Sequence, residues 1–212
     1  MVARFHILYG GSIASDSLKR VFGRRHAINS PAFPTSLNEV ERRLPTSLGL
    51  DARGLIDRHT LLPYYRAFCP GDRLARAERS LMESAATSVY SVLGLVASDV
   101  GSTLKVQRFC PLCVEDDLAE RGQPYWRRAH QLPGVIMCVV HGSPLHWVRA
   151  DPRHPDRHGV HLPGELARQS EPIAVGLGQE SVEVALRLAR ESHALLCGVN
   201  EVPKVSLIHA YR

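Results

Sequence analysis

Four residues at fixed spacing limit the possible folds of this sequence more than anything else in it. They form two short pairs, Cys110-Pro-Leu-Cys113 and Cys138-Val-Val-His141, with 24 residues between the pairs. Each pair can place both of its ligands on one tight turn, and three thiolates with one neutral imidazole complete the tetrahedral shell that Zn²⁺ prefers. The sequence therefore predicts one structural zinc site, closed by protein groups and without an open position for water.

Other uses of the cysteines fit the sequence less well. Five cysteines leave one unpaired in any disulfide scheme, and no apolar signal segment follows the first methionine. A redox CxxC is typical of a strand–helix start in a βαβ pattern, which this sequence lacks. Cys69 and Cys197 have no partner at ligand spacing and are interpreted as buried thiols, and His130 is interpreted as a hydrogen-bonding core residue.

The composition is that of a globular protein. Hydrophobic residues make up 44% of the chain, and no run is long and apolar enough to span a membrane, so we expect a cytoplasmic protein. The net charge is +5, and 23 of the 26 basic residues are arginine. Arginine suits phosphate recognition, but a GC-rich genome gives the same bias, so charge alone does not decide whether nucleic acid is bound.

Apolar periodicity and turn residues predict the elements. Helices are expected over 15–24, 36–43 with Ser36 and Glu39 as a capping box, 51–59 capped by Asp51, 73–97 as the longest, 114–121 and 179–197. The acidic residues 115–117 are placed in the first turn of their helix, and 135–140 is expected to be the only strand.

These elements give a mainly α fold. We expect a helix-turn-helix-like helical domain over 1–100, a zinc-finger domain with a short β element over 101–149, a linker over 150–178 and a further helical segment over 179–212.

The residues around the ligands resemble one family. The run Tyr125-Trp-Arg-Arg-Ala-His-Gln-Leu-Pro-Gly134 lies between the two pairs, and Gly-Ser-Pro-Leu145 follows His141. With the Cys-Pro-x-Cys pair and an acidic helix, this pattern is similar to the zinc-finger segment of the TniQ/TnsD family of bacterial transposon target-selection proteins. The runs His59-Thr-Leu-Leu-Pro-Tyr-Tyr-Arg-Ala-Phe68 and Ser30-Pro-Ala-Phe-Pro34 resemble the TnsD-like branch, so the resemblance covers roughly residues 1–150.

The resemblance implies a transposition adaptor and no enzyme. Such a protein recognises a target, presented as DNA or by a CRISPR guide complex, and recruits the transposon's AAA+ ATPase regulator (TnsC-like); a homodimer is left open, and no membrane partner is expected. Some family members have a second cysteine pair, but residues 146–154 contain none, so one zinc ion is expected. His154, His158 and His161 are interpreted as solvated. The two ends suggest a fragment or a short member of the family.

Two groups of basic residues are candidates for nucleic-acid contact. They are Lys19, Arg20, Arg24 and Arg25 near the N-terminus, and Arg127 and Arg128 in the finger. The first group falls at or beside one exposed helix face, where it can meet phosphates or be solvated. The second group follows Trp126, which is expected to pack beside the metal. It can bind DNA, bind an acidic partner, or pair with the acidic residues 115–117, and we favour the internal pairing.

Two functions of other classes stay open at this point. The chain can be a stand-alone zinc-containing DNA-binding transcriptional regulator that needs no ATPase, or a protein-interaction module with an incidental basic surface. The sequence has no Gly-rich phosphate loop and no arrangement of separated acids that a two-metal nuclease requires.

Overall fold

The computed structural model describes residues 2–9, 14–23, 32–83, 88–95, 106–149 and 161–199. Over these residues the fold is mainly α, as predicted, with one small antiparallel sheet. The α-helices are α1 (Val2–Tyr9), α2 (Ala14–Phe22), α3 (Leu37–Arg43), α4 (Ala52–His59), α5 (Leu62–Tyr65), α6 (Gly71–Met82), α7 (Val89–Val92), α8 (Pro111–Arg121) and α9 (Gln179–Cys197). The strands are β1 (Val106–Phe109), β2 (His146–Arg149) and β3 (Glu171–Pro172), and 3-10 helices cover Thr46–Leu48, Arg128–Gln131 and Pro163–Gln169.

The chain divides into two compact units. The helical unit consists of Leu18–Gly101 and Ala194–Arg212, and the finger unit consists of Met1–Ser17 and Ser102–His193. The domain boundaries expected from the sequence, at 100, 149 and 178, stay a prediction.

Apolar faces of three short helices form the core of the helical unit. At most 1% of each of the following residues is exposed: Leu37 and Val40 of α3, Leu55 and Ile56 of α4, and Ala77 and Leu81 of α6. Asp51 caps α4 as predicted, because its side chain accepts a hydrogen bond from the Gly54 amide at 2.7 Å. Burial of these apolar stripes holds the short helices together, since helices of this length are marginal on their own.

The predicted capping box at the start of α3 is not formed. Ser36 has a left-handed backbone with φ of 64°, and its side chain makes no capping hydrogen bond. The carboxylate of Glu39 pairs instead with Arg42 and Arg43, one turn further along the same helix. Local ion pairs therefore replace the reciprocal cap that the sequence suggested.

The prediction of one long helix over 73–97 is also wrong. Helix α6 ends at Met82, because Glu83 is extended with ψ of 172°, and the separate helix α7 begins at Val89. Leu81 before the break and Val89 after it are both buried, which explains why the apolar spacing looked continuous. In the part of the chain that the structure describes, the longest helix is α9.

A three-stranded antiparallel sheet organises the finger unit. Strand β1 pairs with β2 from Val106↔Arg149 to Phe109↔His146, and β2 pairs with β3. Buried Phe109, Val114 and Val148 form a small core, against which Trp126 and Leu166 pack. Leu166 and β3 lie in the range expected to be a linker, so this described part of it packs against the finger. Residues 150–160 lie outside the described residues.

The strand predicted over 135–140 is not formed. This segment makes a single β-bridge, between Met137 and Pro144, and then turns back on itself. Valines at 135, 139 and 140 favour extended structure, but the turn that brings Cys138 and His141 together prevents a continuous ladder. The strand that leads directly into a ligand is β1, which ends one residue before Cys110.

Candidate metal centre

The first pair of ligands lies where β1 passes into α8. Cys110 is the N-cap residue of α8, and Pro111 takes the first helical position, where an amide proton is not needed. One helical turn brings Cys113 to the same side, and its backbone amide donates to Cys110 Sγ. Because α8 begins at Pro111, the acidic residues 115–117 lie beyond its first turn, which corrects the prediction. Gly122 ends the helix with φ of 69°, as expected.

The second pair lies on a tight turn. The Cys138 amide donates to the Ser143 carbonyl at 2.8 Å, and the Gly142 amide donates to the Cys138 carbonyl at 2.8 Å. Gly142 has φ of 63°, a left-handed conformation that glycine adopts without a Cβ clash. The backbone amides of Val140 and His141 donate to Cys138 Sγ, so the turn itself prepares this sulfur to carry negative charge.

The two turns bring all four predicted ligands to one point. The ligand atoms of Cys110, Cys113, Cys138 and His141 lie within 4.8 Å of one another, and the three cysteines are buried. His141 Nδ1 lies 3.5, 3.4 and 3.7 Å from the sulfurs of Cys110, Cys113 and Cys138. The sulfurs of Cys113 and Cys138 are 3.6 Å apart.

These separations are those of a coordination tetrahedron. With the usual bond lengths to Zn²⁺, a sulfur–sulfur edge is about 3.8 Å and a sulfur–nitrogen edge about 3.6 Å. The observed distances, from 3.4 to 3.7 Å, fall close to both values. The donor set and its spacing therefore fit one tetrahedral metal ion, and three soft sulfurs with one imidazole favour zinc among the common ions.

The thiols are arranged so that a cation is needed to ionise all three. Hydrogen bonds from the Cys113 and Cys138 thiols, which stabilise the Cys110 thiolate, hold the pKa of Cys110 below its ordinary value. The same contacts raise the pKa of Cys113 and of Cys138, and burial raises both further. A divalent ion supplies the positive charge that lets the second and third thiols release their protons.

Asp116 orients the imidazole ligand. Its Oδ2 lies 2.9 Å from His141 Nε2, on the side of the ring opposite the sulfurs. A carboxylate there favours the tautomer with a proton on Nε2, which leaves the Nδ1 lone pair free for a metal. Asp116 belongs to α8, so the helix that supplies Cys113 also positions His141, the ligand on the other turn.

His130 lies against the sulfurs without belonging to the tetrahedron. Its Nε2 is 3.6 Å from Cys138 Sγ and 4.0 Å from Cys113 Sγ, and only 2% of the residue is exposed. Burial lowers the pKa of His130 to about 4, so the ring is neutral at pH 7. Since His130 Nδ1 has no hydrogen-bond partner among the described residues, we place the ring proton on Nε2, where it faces sulfur. The core role expected for this residue is thus directed at the metal centre.

Gln131 fastens β1 to the segment that follows α8. Its Oε1 accepts from the Arg108 amide at 3.1 Å, and its Nε2 donates to the Arg108 carbonyl at 2.6 Å. The Arg108 guanidinium reaches further and donates to the Val135 carbonyl at 3.0 Å. We call the turn that carries Cys110 and Cys113 the first knuckle and the turn that carries Cys138 and His141 the second. The contacts of Gln131 and Arg108 hold the segments that lead into the two knuckles in place relative to each other.

The buried carboxylate of Asp117 binds two arginines. This carboxylate is 1% exposed and accepts from Arg121 at 2.7 Å and from Arg127 at 2.8 Å. The Arg127 guanidinium also lies 4.9 Å from the centroid of the Tyr125 ring. Burial alone would lower the pKa of Arg127, but Cys113, Tyr125 and Asp117 raise it above the ordinary value. The internal pairing favoured from the sequence is therefore present for Arg127.

The other predicted contact residues belong to different elements or lie outside the described residues. Lys19 and Arg20 are exposed on α2, Arg128 is partly buried in its 3-10 helix, and Arg24 and Arg25 lie outside the described residues. Nucleic-acid binding by this set stays a prediction. Cys69 is buried as expected, whereas Cys197 is exposed at the end of α9, which corrects the expectation for that thiol.

The sequence reading missed the groups that support the ligands. The sequence places Asp116 only at a helix start or as a partner of arginine, and not beside His141. It predicts no role for Gln131 or for Ser143, whose Oγ lies 3.3 Å from Cys110 Sγ. Among the described residues the Cys3His cluster is the single group of three or more such side chains placed to hold a metal ion. No helix within the described ranges has the length and apolar character to cross a membrane.

Comparison with known proteins gives one family. The TniQ family model matches residues 1–145, a range that includes all four candidate ligands. The chain is also 32% identical over 155 residues to the transposon Tn7 transposition protein TnsD of Escherichia coli. That similarity covers 72% of this chain and 30% of the relative, so the chain spans less than a third of the length of that protein. By the extent of the family match, the chain belongs to the TniQ family.

Proposed function

We propose that this protein selects the target of a transposon as an adaptor, without catalysing a reaction itself. It binds target DNA or a guide complex and recruits the transposon's AAA+ ATPase regulator. The observation that carries the proposal is the TniQ family match over residues 1–145, which contains the Cys3His cluster. The similarity to a protein named for transposition supports it.

The metal in this proposal is Zn²⁺, held by Cys110, Cys113, Cys138 and His141. When bound, the ion cross-links the two knuckles, and four protein ligands leave it no position for a reacting water. Asp116 orients the imidazole, and His130 and Ser143 donate toward sulfur. An adaptor needs such a fixed surface, because affinity for two partners depends on groups that are already in place.

The exposed face of α8 suits a protein partner. Leu112 at the tip of the first knuckle is 42% exposed, and Val140 at the tip of the second is 65% exposed. Glu115, Asp116 and Glu120 are exposed on the same helix as Leu112. Apolar tips beside carboxylates complement a basic protein surface and repel the phosphates of nucleic acid. We assign this face to the ATPase regulator.

Reconstituted transposition tests the adaptor function. Purified transposase, ATPase regulator and this protein are combined with target DNA, or with a guide complex, and insertions are mapped by sequencing. We expect insertions at a defined site only when this protein is present, together with capture of the ATPase regulator on the immobilised protein. Elemental analysis of the same sample should give one zinc per chain.

Two cysteines, one inside the cluster and one outside it, provide matched variants for this test. Cys110→Ser removes a ligand and should abolish stoichiometric zinc, ATPase capture and targeted insertion. Cys197→Ser changes an exposed thiol outside the cluster and should leave all three intact. Zinc-loaded wild-type protein that neither captures the ATPase regulator nor directs insertion contradicts the proposal. Salt-dependent duplex binding by such a protein would favour the stand-alone regulator instead.

A further inference from the structure

Helix α6 of the helical unit presents three arginines on one exposed side. Arg73, Arg76 and Arg79 recur every third residue, and all three are exposed. The buried side of the helix is formed by Leu74, Ala77, Ser80 and Leu81. The three arginines lie within about a third of the helix circumference, next to this buried side, and their side chains are exposed to solvent.

Within the described residues, carboxylates balance little of the charge of this stripe. Arg76 is 4.0 Å from Asp72, but the two side chains are 58% and 76% exposed, so this contact contributes little. Among the residues that the structure describes, neither Arg73 nor Arg79 has a carboxylate oxygen within ion-pair distance. Three positive charges thus face solvent along a single line.

Many arginines elsewhere in the described chain have acidic partners. Arg42 and Arg43 share Glu39, Arg66 bridges Asp57 and Glu78, and Arg121 and Arg127 share Asp117. These pairs hold structure together and leave their arginines less able to bind another anion. The stripe on α6 differs from them because its charges are available for an external ligand.

We propose that Arg73, Arg76 and Arg79 contact the phosphate backbone of duplex DNA. At 1.5 Å per residue the stripe extends about 9 Å, and one DNA strand presents a phosphate about every 3.4 Å along the axis, so the stripe can face roughly three phosphates. Guanidinium forks match phosphate oxygens in pairs. The inference rests on the DNA-binding part of the proposed function, and it assigns that part to the helical unit, since the exposed face of α8 is acidic.

The salt dependence of duplex binding tests this assignment. The probe is a short duplex of arbitrary sequence, titrated with the full-length zinc-loaded protein at salt concentrations from about 50 to 200 mM. The slope of log K against log salt is negative, and each phosphate contact that is lost reduces its magnitude by about 0.9. We expect the double variant R73Q/R79Q to reduce the magnitude of the slope by about 2 and to weaken binding equally for unrelated sequences.

The variant R42Q/R43Q is the matched control. It removes the same amount of positive charge from exposed positions of the helical unit, but from side chains that already pair with Glu39. We expect its slope to change by less than about half as much as that of R73Q/R79Q. Zinc content and thermal unfolding followed by circular dichroism confirm that both variants are folded.

Three results would overturn the assignment. Equal slopes for the two variants would show that α6 contributes only general charge. Wild-type protein without salt-dependent duplex binding would remove the DNA contact, while capture of the ATPase regulator by the same sample would leave the adaptor function standing. If R73Q/R79Q keeps the wild-type slope but loses ATPase capture, the stripe binds an acidic protein surface instead.

Discussion

Side chains just outside the tetrahedron determine how firmly it holds a metal, and His130 is the first to test. A Zn²⁺ ion with three thiolates and a neutral imidazole carries one net negative charge in a buried place. The Nε2 of His130, 3.6 Å from Cys138 Sγ, offsets part of that charge by donating a proton toward sulfur. We expect His130→Phe, which keeps an aromatic ring but loses the donor, to weaken zinc binding about 10- to 100-fold in competition with a chelator.

His130→Gln separates this role from simple packing. Glutamine retains an N–H donor and should recover much of the affinity, while phenylalanine better preserves the buried ring. With Co²⁺ in place of zinc, the sulfur-to-metal absorption should shift in the Phe variant and stay near that of the wild type in the Gln variant. Indistinguishable affinities and spectra for the two variants would show that His130 only fills space.

Asp117 is a buried carboxylate on which the stability of the finger should depend. It is 1% exposed and accepts from both Arg121 and Arg127. Breaking a fully buried ion pair costs roughly 3–5 kcal/mol, but both arginines keep some solvent contact. We therefore expect Asp117→Asn to lower the free energy of unfolding of the finger by about 2–3 kcal/mol. Urea unfolding followed by tryptophan fluorescence measures this, because Trp126 and Trp147, the two tryptophans of the chain, both lie in the finger unit.

Glu120→Gln is the control for the Asp117 variant. Glu120 lies 3.4 Å from Arg121, but its side chain is 63% exposed. Its removal should cost less than about 1 kcal/mol, since exposed ion pairs contribute little. Equal losses for the two variants would mean that burial of Asp117 has no special consequence for stability.

The turn of the second knuckle depends on backbone geometry as well as on its ligands. A Cβ at Gly142 would meet only Leu186 Cδ2, at 3.9 Å, so space is not limiting, but φ of 63° strains any L-residue. We expect Gly142→Ala to cost about 1 kcal/mol, which is about fivefold in zinc affinity. Gly142→Asn should cost less, because asparagine tolerates the left-handed region better. Equal affinity of the Ala variant and the wild type would show that the turn relaxes freely.

The elements that could be predicted from the sequence are those that depend on local chemistry. The knuckles follow from the CxxC and CxxH spacing, the start of α4 from the side chain of Asp51, and the end of α8 from Gly122. The break after Met82 and the failed strand at 135–140 could not be predicted, because apolar spacing reports burial and not the backbone angle at Glu83 or the turn at Gly142.

The residues that support the four ligands could not be predicted from the sequence either, for a related reason. Asp116 meets His141 across 25 positions, and Ser143 meets Cys110 across 33. No periodicity links residues so far apart, and an acidic residue on a helix or a serine in a loop is usually solvated. The ligands were readable because each pair is a short local motif, whereas their partners depend on how α8 and the second knuckle fold together.

At the scale of the whole molecule, we expect the two units to differ in how far their folding depends on the metal. The apolar residues buried around the ligands all lie in one segment, and a segment of about 40 residues usually needs a metal or another cross-link to fold. They are Phe109, Val114, Leu132, Val135, Met137, Leu145 and Val148. Zinc binding to small fingers contributes about 10–16 kcal/mol of apparent folding free energy, which equals or exceeds the typical stability of a domain. We therefore expect a chelator to unfold the finger, with loss of amide hydrogen-exchange protection over residues 106–149.

The helical unit should respond differently to the same treatment. Its core of Leu37, Val40, Leu55, Ile56 and Leu81 is buried, and none of the four candidate ligands belongs to this unit. Hydrogen exchange measured by mass spectrometry before chelation, after chelation and after return of zinc should show lasting protection at α3, α4 and α6 and reversible loss across the finger. Protection that survives chelation throughout 106–149 would contradict a structural role for the metal, because it would mean that the knuckles fold on their own packing and that the Cys3His cluster serves some other purpose.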